Sequence, residues 1–189
     1  MGFLQHLNWI DLLAGSLFAR AIYIGIKRGF VVELFKLVGT IVALYITLHY
    51  CTAFSKLLHE KLHLQVVLSD ILSFGFLWGA ITLIAKLVRD TLLMLVHIEP
   101  QGILNKWGGL ILSIFRGLLL ASLTLVYFEV TNVESFQKYI RDSITGKRLV
   151  RMAPDMYEGC YDGFIVKFFP KEELNKTILK GKNPHPVNE

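Results

Sequence analysis

Apolar residues of this chain are gathered into four long stretches, which are separated by short polar segments. The stretches run Ile10–Ile26, Phe30–Tyr50, Val66–Val88 and Trp107–Phe128. A helix rises 1.5 Å per residue, so about 20 apolar residues cross a hydrocarbon core about 30 Å thick. The pattern therefore predicts an all-α integral membrane protein with four transmembrane helices.

Shorter helical patterns connect these stretches. The turn at Lys27–Gly29 is tight, so the first two helices are predicted to be antiparallel neighbours. The second loop, Cys51–Gln65, has the apolar spacing of a short helix lying in the membrane interface. In the third loop, the apolar run Leu92–Val96 is too short to span and is expected to prolong the third helix.

The polar end of the chain carries three further helical patterns, at Val133–Ile144, at Asp155–Phe164 with Pro154 in its first turn, and at Lys171–Leu179. Such short helices are unstable alone, so we expect them to lie on the membrane or on the bundle. The chain is thus predicted to divide into a four-helix transmembrane unit (1–128), a short-helical polar tail (129–180) and a disordered terminus (181–189).

Composition and charge support a membrane protein. The mean hydropathy is +0.50, and 19% of residues are charged, against about 25% in soluble domains. The net charge of +5 comes from Lys and Arg clustered at helix ends and in the tail. That distribution indicates lipid contact and topology, so the expected partner is the lipid bilayer and not nucleic acid.

Orientation is predicted from the short loops. Lys27 and Arg28 occupy the first loop without an acidic residue, and basic loops remain in the cytoplasm. Loops one and three are therefore predicted to be cytoplasmic and both termini extracytoplasmic, although the basic tail argues for the opposite orientation.

Two arginines lie deep in the apolar stretches. Arg20 is in the second half of the first stretch and Arg116 is near the middle of the fourth. An arginine at a helix centre costs about 2.5–3.5 kcal/mol on insertion scales. Neither has an acidic residue three or four positions away, so a partner must come from another helix. The available carboxylates are Asp11, Glu33 and Asp70.

Glu33 and Lys36 are spaced i,i+3 and can pair on one helix face, which leaves Asp11 and Asp70 for the arginines. One interpretation is that the arginines line a polar cavity or bind an anionic lipid or solute. The other, which we favour, is that they snorkel or pair internally and hold the bundle together.

Small residues repeat every four positions in three of the stretches. Close approach of membrane helices needs such faces, because lipid gives no hydrophobic drive to association. The motifs predict tight packing or oligomerisation, and they comprise Gly25 with Gly29, Gly75 with Gly79, and Gly109 with Ser113 and Gly117.

Candidate chemistry is sparse. His59 and His63 have the i,i+4 spacing of metal ligands, but the further ligands that a site needs are not evident, so we expect no metal. Cys51 and Cys160 are too few for a disulfide framework, and free thiols are expected, with a single bridge as the alternative. No cofactor is expected.

Catalytic motifs are also missing from the sequence, which has no P-loop, no dinucleotide fingerprint, no Gly-x-Ser-x-Gly elbow and no His-Glu-x-x-His helix. Asp11 and Asp70 could form an acid pair only if the fold brought them together. We therefore predict that the protein is not an enzyme and has no catalytic residues.

Several of these residues resemble the colicin V production protein family. Asn8–Asp11, Gly25–Phe30 and Glu33 are similar to its first hairpin, in which an aspartate opens the first helix and a Gly-x-x-Arg-Gly-Phe turn follows. Leu104–Gly109 and Arg116–Gly117 are similar to its fourth-helix signature, a Leu-Asn/Asp-Arg stretch before a glycine-rich helix.

The resemblance covers about Asn8 to Phe164 and includes the tail pair Ala153–Pro154. Arg20 stands where the family usually has an apolar residue, and Ser113 replaces a glycine. The family residues carried over are Asp11, Gly25, Arg28, Gly29, Asn105, Gly109, Arg116 and Gly117.

The resemblance implies a multi-pass protein of the bacterial inner (cytoplasmic) membrane, with a role in colicin V production or export and in envelope homeostasis. We expect it to act without catalysis, through helix–helix contacts in a homo-oligomer or with other membrane proteins. The alternative is a small oligomeric channel or transporter for an anionic solute, which would use Arg20 and Arg116.

Overall fold

The computed structural model describes part of the chain, and its described residues are 15–16, 19–20, 22–25, 27, 29–95, 102–130, 144–168 and 174–175. Within these ranges the structure is helical apart from short turns and the pair 174–175, and it contains no strand. The helices are α1 (Phe30–Leu62), α2 (Val66–Leu95), α3 (Ile103–Val130) and α4 (Ile144–Cys160), followed by a π-helical turn (Tyr161–Ile165) and the short α5 (Val166–Phe168).

Three of these helices are long and apolar enough to cross a membrane, namely Phe30–Leu62, Val66–Met94 and Asn105–Val130. They correspond to the second, third and fourth apolar stretches, and they make the chain a multi-pass membrane protein. The first stretch is helical where it is described, between residues 15 and 27. Most of it lies outside the described residues, so the fourth span stays a prediction.

The segment Cys51–Gln65 is helical as far as Leu62, as its apolar spacing predicted, but the prediction that this helix is separate from the second apolar stretch is wrong. α1 continues without a break from Phe30 to Leu62, because residues 51–62 contain neither glycine nor proline and carry good helix formers. At 33 residues, α1 is about 50 Å long and extends well beyond a hydrocarbon core of about 30 Å. It ends at His63 in a left-handed conformation (φ 52°, ψ 31°), and only residues 63–65 connect it to α2.

α2 returns antiparallel to α1 and packs along most of its length. Its first turn closes with the Ser69 amide donating to the Gln65 carbonyl over 2.9 Å. The helix runs on to Leu95, so the prediction that the run beginning at Leu92 prolongs this helix is confirmed as far as Leu95. α3 packs mainly against α1 and α4, and it contacts α2 much less.

The tail helix differs from its predicted bounds. α4 spans Ile144–Cys160 and contains Pro154 in its interior, whereas the sequence indicated a helix that begins near Pro154. Buried residues recur at Leu149, Ala153 and Tyr157, the i,i+4 spacing of a helix face that packs on a neighbour. This packing against α3 outweighs the cost of an internal proline. The prediction that a tail helix lies on the bundle is confirmed for α4.

Two other tail predictions can be tested only in part. Leu174 and Asn175 are not helical, so the predicted helix at Lys171–Leu179 is wrong at these two positions, and its other residues lie outside the described ranges. The predicted helix at Val133–Ile144, except for Ile144 itself, and the terminus 181–189 also lie outside them.

The hydrophobic core sits toward the Leu62 end of α1. Its fully buried apolar side chains come from α1, α2, α3 and α4, and they include Leu44, Leu48, Phe74, Leu123, Ala153 and Tyr157. Both α4 residues in this set belong to the polar tail in the sequence, so the tail contributes directly to the core of the membrane helices.

Candidate functional site

Two of the three small-residue motifs pack against each other. A Cβ atom added to Gly25 would lie 2.7 Å from the Cβ of Ser113 and 2.9 Å from the Gly109 carbonyl oxygen. A Cβ added to Gly109 would lie 2.7 Å from the carbonyl carbon of Gly29. Real Cβ atoms do not approach backbone so closely, so glycine is required for this contact. Ser113 is accommodated because its neighbour Gly25 has no side chain.

Asn105 secures the start of α1 from the neighbouring helix. Its Oδ1 accepts a hydrogen bond from the Phe30 amide at 2.6 Å, one of the amides that a helix leaves unpaired at its N-terminus. Gly29, the residue before Phe30, has a φ of 75°. A Cβ added to Gly29 would lie 2.8 Å from Asn105 Nδ2. The family residues Gly29 and Asn105 therefore act as one unit.

The third small-residue motif is uncovered. A Cβ added to Gly75 or Gly79 on α2 would meet no atom within 4 Å. Only 11% of the apolar window of α2 is buried, compared with 39% for α1 and 50% for α3. Within the described part of the chain, this glycine face has no helix packed on it. Gly117 is half-buried within α3.

A buried ion cluster joins α1 to α3. Glu33 is fully buried and forms ion pairs with Lys36 on its own helix and with Arg116 on α3. The predicted i,i+3 pair of Glu33 and Lys36 is thus confirmed. Arg116 Nε lies 3.2 Å from Glu33 Oε2, although its N–H is not aligned for a hydrogen bond. One carboxylate in a low-dielectric region therefore faces two cations.

The prediction that Asp70 remains as a partner for an arginine is wrong. Asp70 is near the start of α2, at the opposite end of the α1–α2 hairpin from Glu33, and it accepts a hydrogen bond from Ser55. Sequence reasoning treated Glu33 as satisfied by Lys36, but a carboxylate has two oxygens and the second one reaches Arg116. Asp11 and Arg28 lie outside the described residues.

A cavity of about 160 Å³ lies next to the ion cluster, between α1, α2 and the Arg116 region of α3. It forms where α2 and α3 are not in close contact. Four cationic side chains line it, and its full described lining is Phe35, Lys36, Gly39, Thr40, Ala43, Trp78, Thr82, Ala85, Lys86, Arg89, Arg116 and Leu120.

The cavity bears on the two interpretations of Arg20 and Arg116, as residues of a polar cavity or as structural charges. Arg116 lines it as one interpretation predicted, while its pair with Glu33 fits the structural interpretation that we favoured. Arg20 is exposed and is not among the described lining residues. Sequence reasoning missed Lys86 and Arg89, although their i,i+4 and i,i+7 spacing from Thr82 places all three on one face of α2.

Neutral polar groups join the tail to α1 at the other end of the bundle. Asn175 Nδ2 donates to the backbone carbonyls of Leu48 (2.9 Å) and His49 (3.2 Å) and to the Thr52 hydroxyl (3.0 Å). The backbone amide of Asn175 donates to the Tyr157 hydroxyl at 3.0 Å. We call these residues, with His49, the tail clamp.

The tail clamp also includes His49. The Tyr157 hydroxyl, which accepts from the Asn175 backbone amide, lies 2.9 Å from His49 Nδ1, within hydrogen-bond distance. Tyr157 is completely buried. No signal in the sequence pointed to Asn175, since its partners on α1 are more than 100 positions away.

Neither the histidine pair nor the cysteines form a site. His59 Nδ1 hydrogen-bonds the Leu64 carbonyl at 2.6 Å and so connects the end of α1 to the turn that follows it. Among the described residues, no three His, Cys, Asp or Glu side chains gather as metal ligands. Cys51 and Cys160 are free, as expected. Partial burial raises the pKa of the Cys160 thiol, which makes it less reactive.

Among the comparisons with known proteins, one finds a family that matches this chain. No curated protein and no solved structure matches the chain. The family described as Colicin V production protein matches residues 10–154, which is well over half of the sequence and includes the glycine contact, the Asn105 cap, the ion cluster and Ala153 of α4. The chain therefore belongs to the colicin V production protein family.

Proposed function

We propose that this protein is a non-enzymatic protein of the bacterial inner membrane that acts by binding other helices in the bilayer. Its partner is a second copy of the chain or another membrane protein. Through these contacts it supports colicin V production or export and the homeostasis of the cell envelope. The first and third loops face the cytoplasm in this proposal, and the termini face outward.

One observation carries the proposal, namely the uncovered glycine face of α2. The glycine motifs before α1 and on α3 already pack against each other, through Gly25, Gly29 and Gly109. Gly75 and Gly79 have the same spacing but meet no described neighbour. In a bilayer, lipid tails satisfy large apolar side chains as well as a protein does, whereas a small-residue face favours a second helix at close range.

The alternative of an anion channel receives less support. It relies on Arg20 and Arg116 as a set, but Arg20 is exposed and only Arg116 is among the described residues of the cavity. Arg116 is also held by Glu33. A transport path would have to form in an oligomer.

The proposal is tested by cysteine cross-linking in native membranes, after Cys51 and Cys160 have been replaced by alanine. A cysteine at Gly75 is expected to give a cross-linked dimer or a cross-linked partner. The matched control is a cysteine at Leu87, which is also exposed on α2 but lies about a third of a turn from the glycine face. A Gly75→Cys protein that remains monomeric, or one that cross-links no better than Leu87→Cys, would contradict the proposal.

The function is tested by complementation in a strain from which the gene has been deleted. Gly79→Leu places a large side chain on the glycine face, and its Cβ would meet no described atom within 4 Å. Folding is therefore expected to persist while partner binding is lost. We expect this variant to fail to restore growth under envelope stress, and Leu87→Ile to restore it. Full restoration by Gly79→Leu would remove the glycine face from the function.

A further inference from the structure

The cavity beside Arg116 is lined by a cluster of cationic side chains. Lys36, Lys86, Arg89 and Arg116 line it, and its described lining contains no acidic residue. Glu33 approaches two of these cations, Lys36 and Arg116. Positive charge therefore converges on a space that is much larger than one water molecule needs.

The two cations on α2 are only partly neutralised. Arg89 pairs with its chain neighbour Asp90, whose Oδ1 lies 2.8 Å from Arg89 Nε, and the Asp90 side chain is 43% exposed. Lys86 is exposed, and none of the ion pairs among the described residues includes it. A surplus of positive charge thus lies at the mouth of the cavity, where Lys86 is located.

The position of the cavity suits a ligand from the membrane surface. Lys86 and Arg89 belong to the last three turns of α2, at the same end of the bundle as the start of α1. Leu83 and Leu87 beside them are exposed apolar side chains that would contact lipid tails. Thr82 lines the cavity one turn before Lys86 and adds a hydroxyl donor.

We infer that this cavity binds a phosphoryl anion, with Lys86 and Arg89 as its charged contacts and the Thr82 hydroxyl as a hydrogen-bond donor. Basic pockets between membrane helices recognise anionic headgroups in this way. The same chemistry fits two sources, the headgroup of an anionic phospholipid and a free phosphate ion. The site lies further along α2 than Gly75 and Gly79, although Thr82 and Lys86 continue the same helix face. The inference does not rest on the proposed function.

The test measures lipid binding to the full chain in a neutral detergent by native mass spectrometry. Phosphatidylglycerol is compared with phosphatidylcholine, which has no net charge. Wild-type protein is expected to retain phosphatidylglycerol preferentially, and Lys86→Gln to weaken its apparent affinity about fivefold, since one basic residue near an anionic surface contributes about that factor. Lys86→Arg keeps the charge and is expected to keep the affinity.

The matched control is Lys56→Gln, which removes one exposed lysine near the other end of α1. It is expected to leave phosphatidylglycerol binding unchanged. Equal losses in Lys86→Gln and Lys56→Gln, or equal retention of the two lipids by wild-type protein, would exclude the phospholipid headgroup and leave free phosphate as the only source. Because Lys86 has no ion pair among the described residues, its replacement is not expected to unfold the protein, and a thermal melt checks this.

A second arm distinguishes the two sources. Inorganic phosphate is added to lipid-free protein, and the melting temperature is compared with that in sodium chloride of equal ionic strength. A rise that disappears in Lys86→Gln identifies a site open to free phosphate. Lysine-dependent binding of phosphatidylglycerol without such a rise identifies a headgroup site. Absence of both effects would overturn the inference.

Discussion

At the Phe30 end of α1, the buried polar groups are charged, whereas those at the Leu62 end are neutral. Glu33 faces Lys36 and Arg116 next to a cavity, while Tyr157 and Asn175 form neutral hydrogen bonds beside the apolar core. Both ends connect α1 to other elements. The cations of the charged end border open space, whereas Tyr157 and Asn175 at the neutral end are hydrogen-bonded within the chain.

This difference indicates a division of roles along one helix. A neutral hydrogen bond inside a packed core contributes only a modest net free energy to folding, but it favours a single arrangement of the groups that it joins. Buried charges contribute little net stability compared with an apolar core, but removing one partner is costly. We therefore expect the neutral end to hold the tail and the charged end to be the more sensitive to single substitutions.

The largest expected effect comes from breaking the charged end. Glu33→Gln removes the carboxylate that faces two cations, and such a loss inside a protein costs about 3–5 kcal/mol. We expect the free energy of unfolding, measured in detergent or bicelles, to fall by about this amount. Glu60→Gln, an exposed glutamate on the same helix, should change it by less than about 0.5 kcal/mol. Similar losses in both variants would show that Glu33 is not a buried centre of charge.

The glycine contact between Gly29 and Gly109 provides the next test. Gly109→Ala would place a Cβ 2.7 Å from the Gly29 backbone, and overpacking of this kind costs about 1–3 kcal/mol. We expect the melting temperature to fall clearly for Gly109→Ala and to remain unchanged for Gly79→Ala, whose Cβ meets no described atom. If the two alanine variants melt together, the packing of α3 on the first hairpin is looser than the structure shows.

The smallest expected effect is at the neutral end. Tyr157→Phe removes the hydroxyl that joins His49 to Asn175. The Asn175 backbone amide is only half-buried, so water can replace its acceptor, and the loss costs about 0.5–1.5 kcal/mol. The tail should then be cleaved faster by protease near Asn175 while the ion cluster persists. Tyr23→Phe removes an exposed hydroxyl bonded only to Lys27 among the described residues and serves as the control. Equal cleavage rates would mean that the tail clamp does not hold the tail.

Sequence reasoning succeeded where one residue type and one spacing suffice. The three described spans follow from apolar length alone, and the Gly25–Gly29 and Gly109–Ser113 motifs pack as small-residue faces do. It failed where a helix continues through polar sequence, as α1 does beyond Cys51. The loss of apolar character marks the membrane surface, but it does not mark the end of a helix.

The site shows the same limit. The pair of Glu33 with Lys36 is local and was predicted, whereas its second partner, Arg116, lies 83 positions later in the chain. Likewise, Asn175 bonds carbonyls of α1 that any residue could offer, so no pattern of side chains predicts the contact.

The sequence by itself determined the membrane as the solvent of this protein, the helical class and the family, because each depends on local composition, periodicity or short motifs. The tertiary structure decided which charges meet, which glycine face is filled and which is open, and where the cationic cavity forms. These features depend on how distant segments approach each other, and that approach is set by packing across the whole bundle rather than by the residues of any one helix.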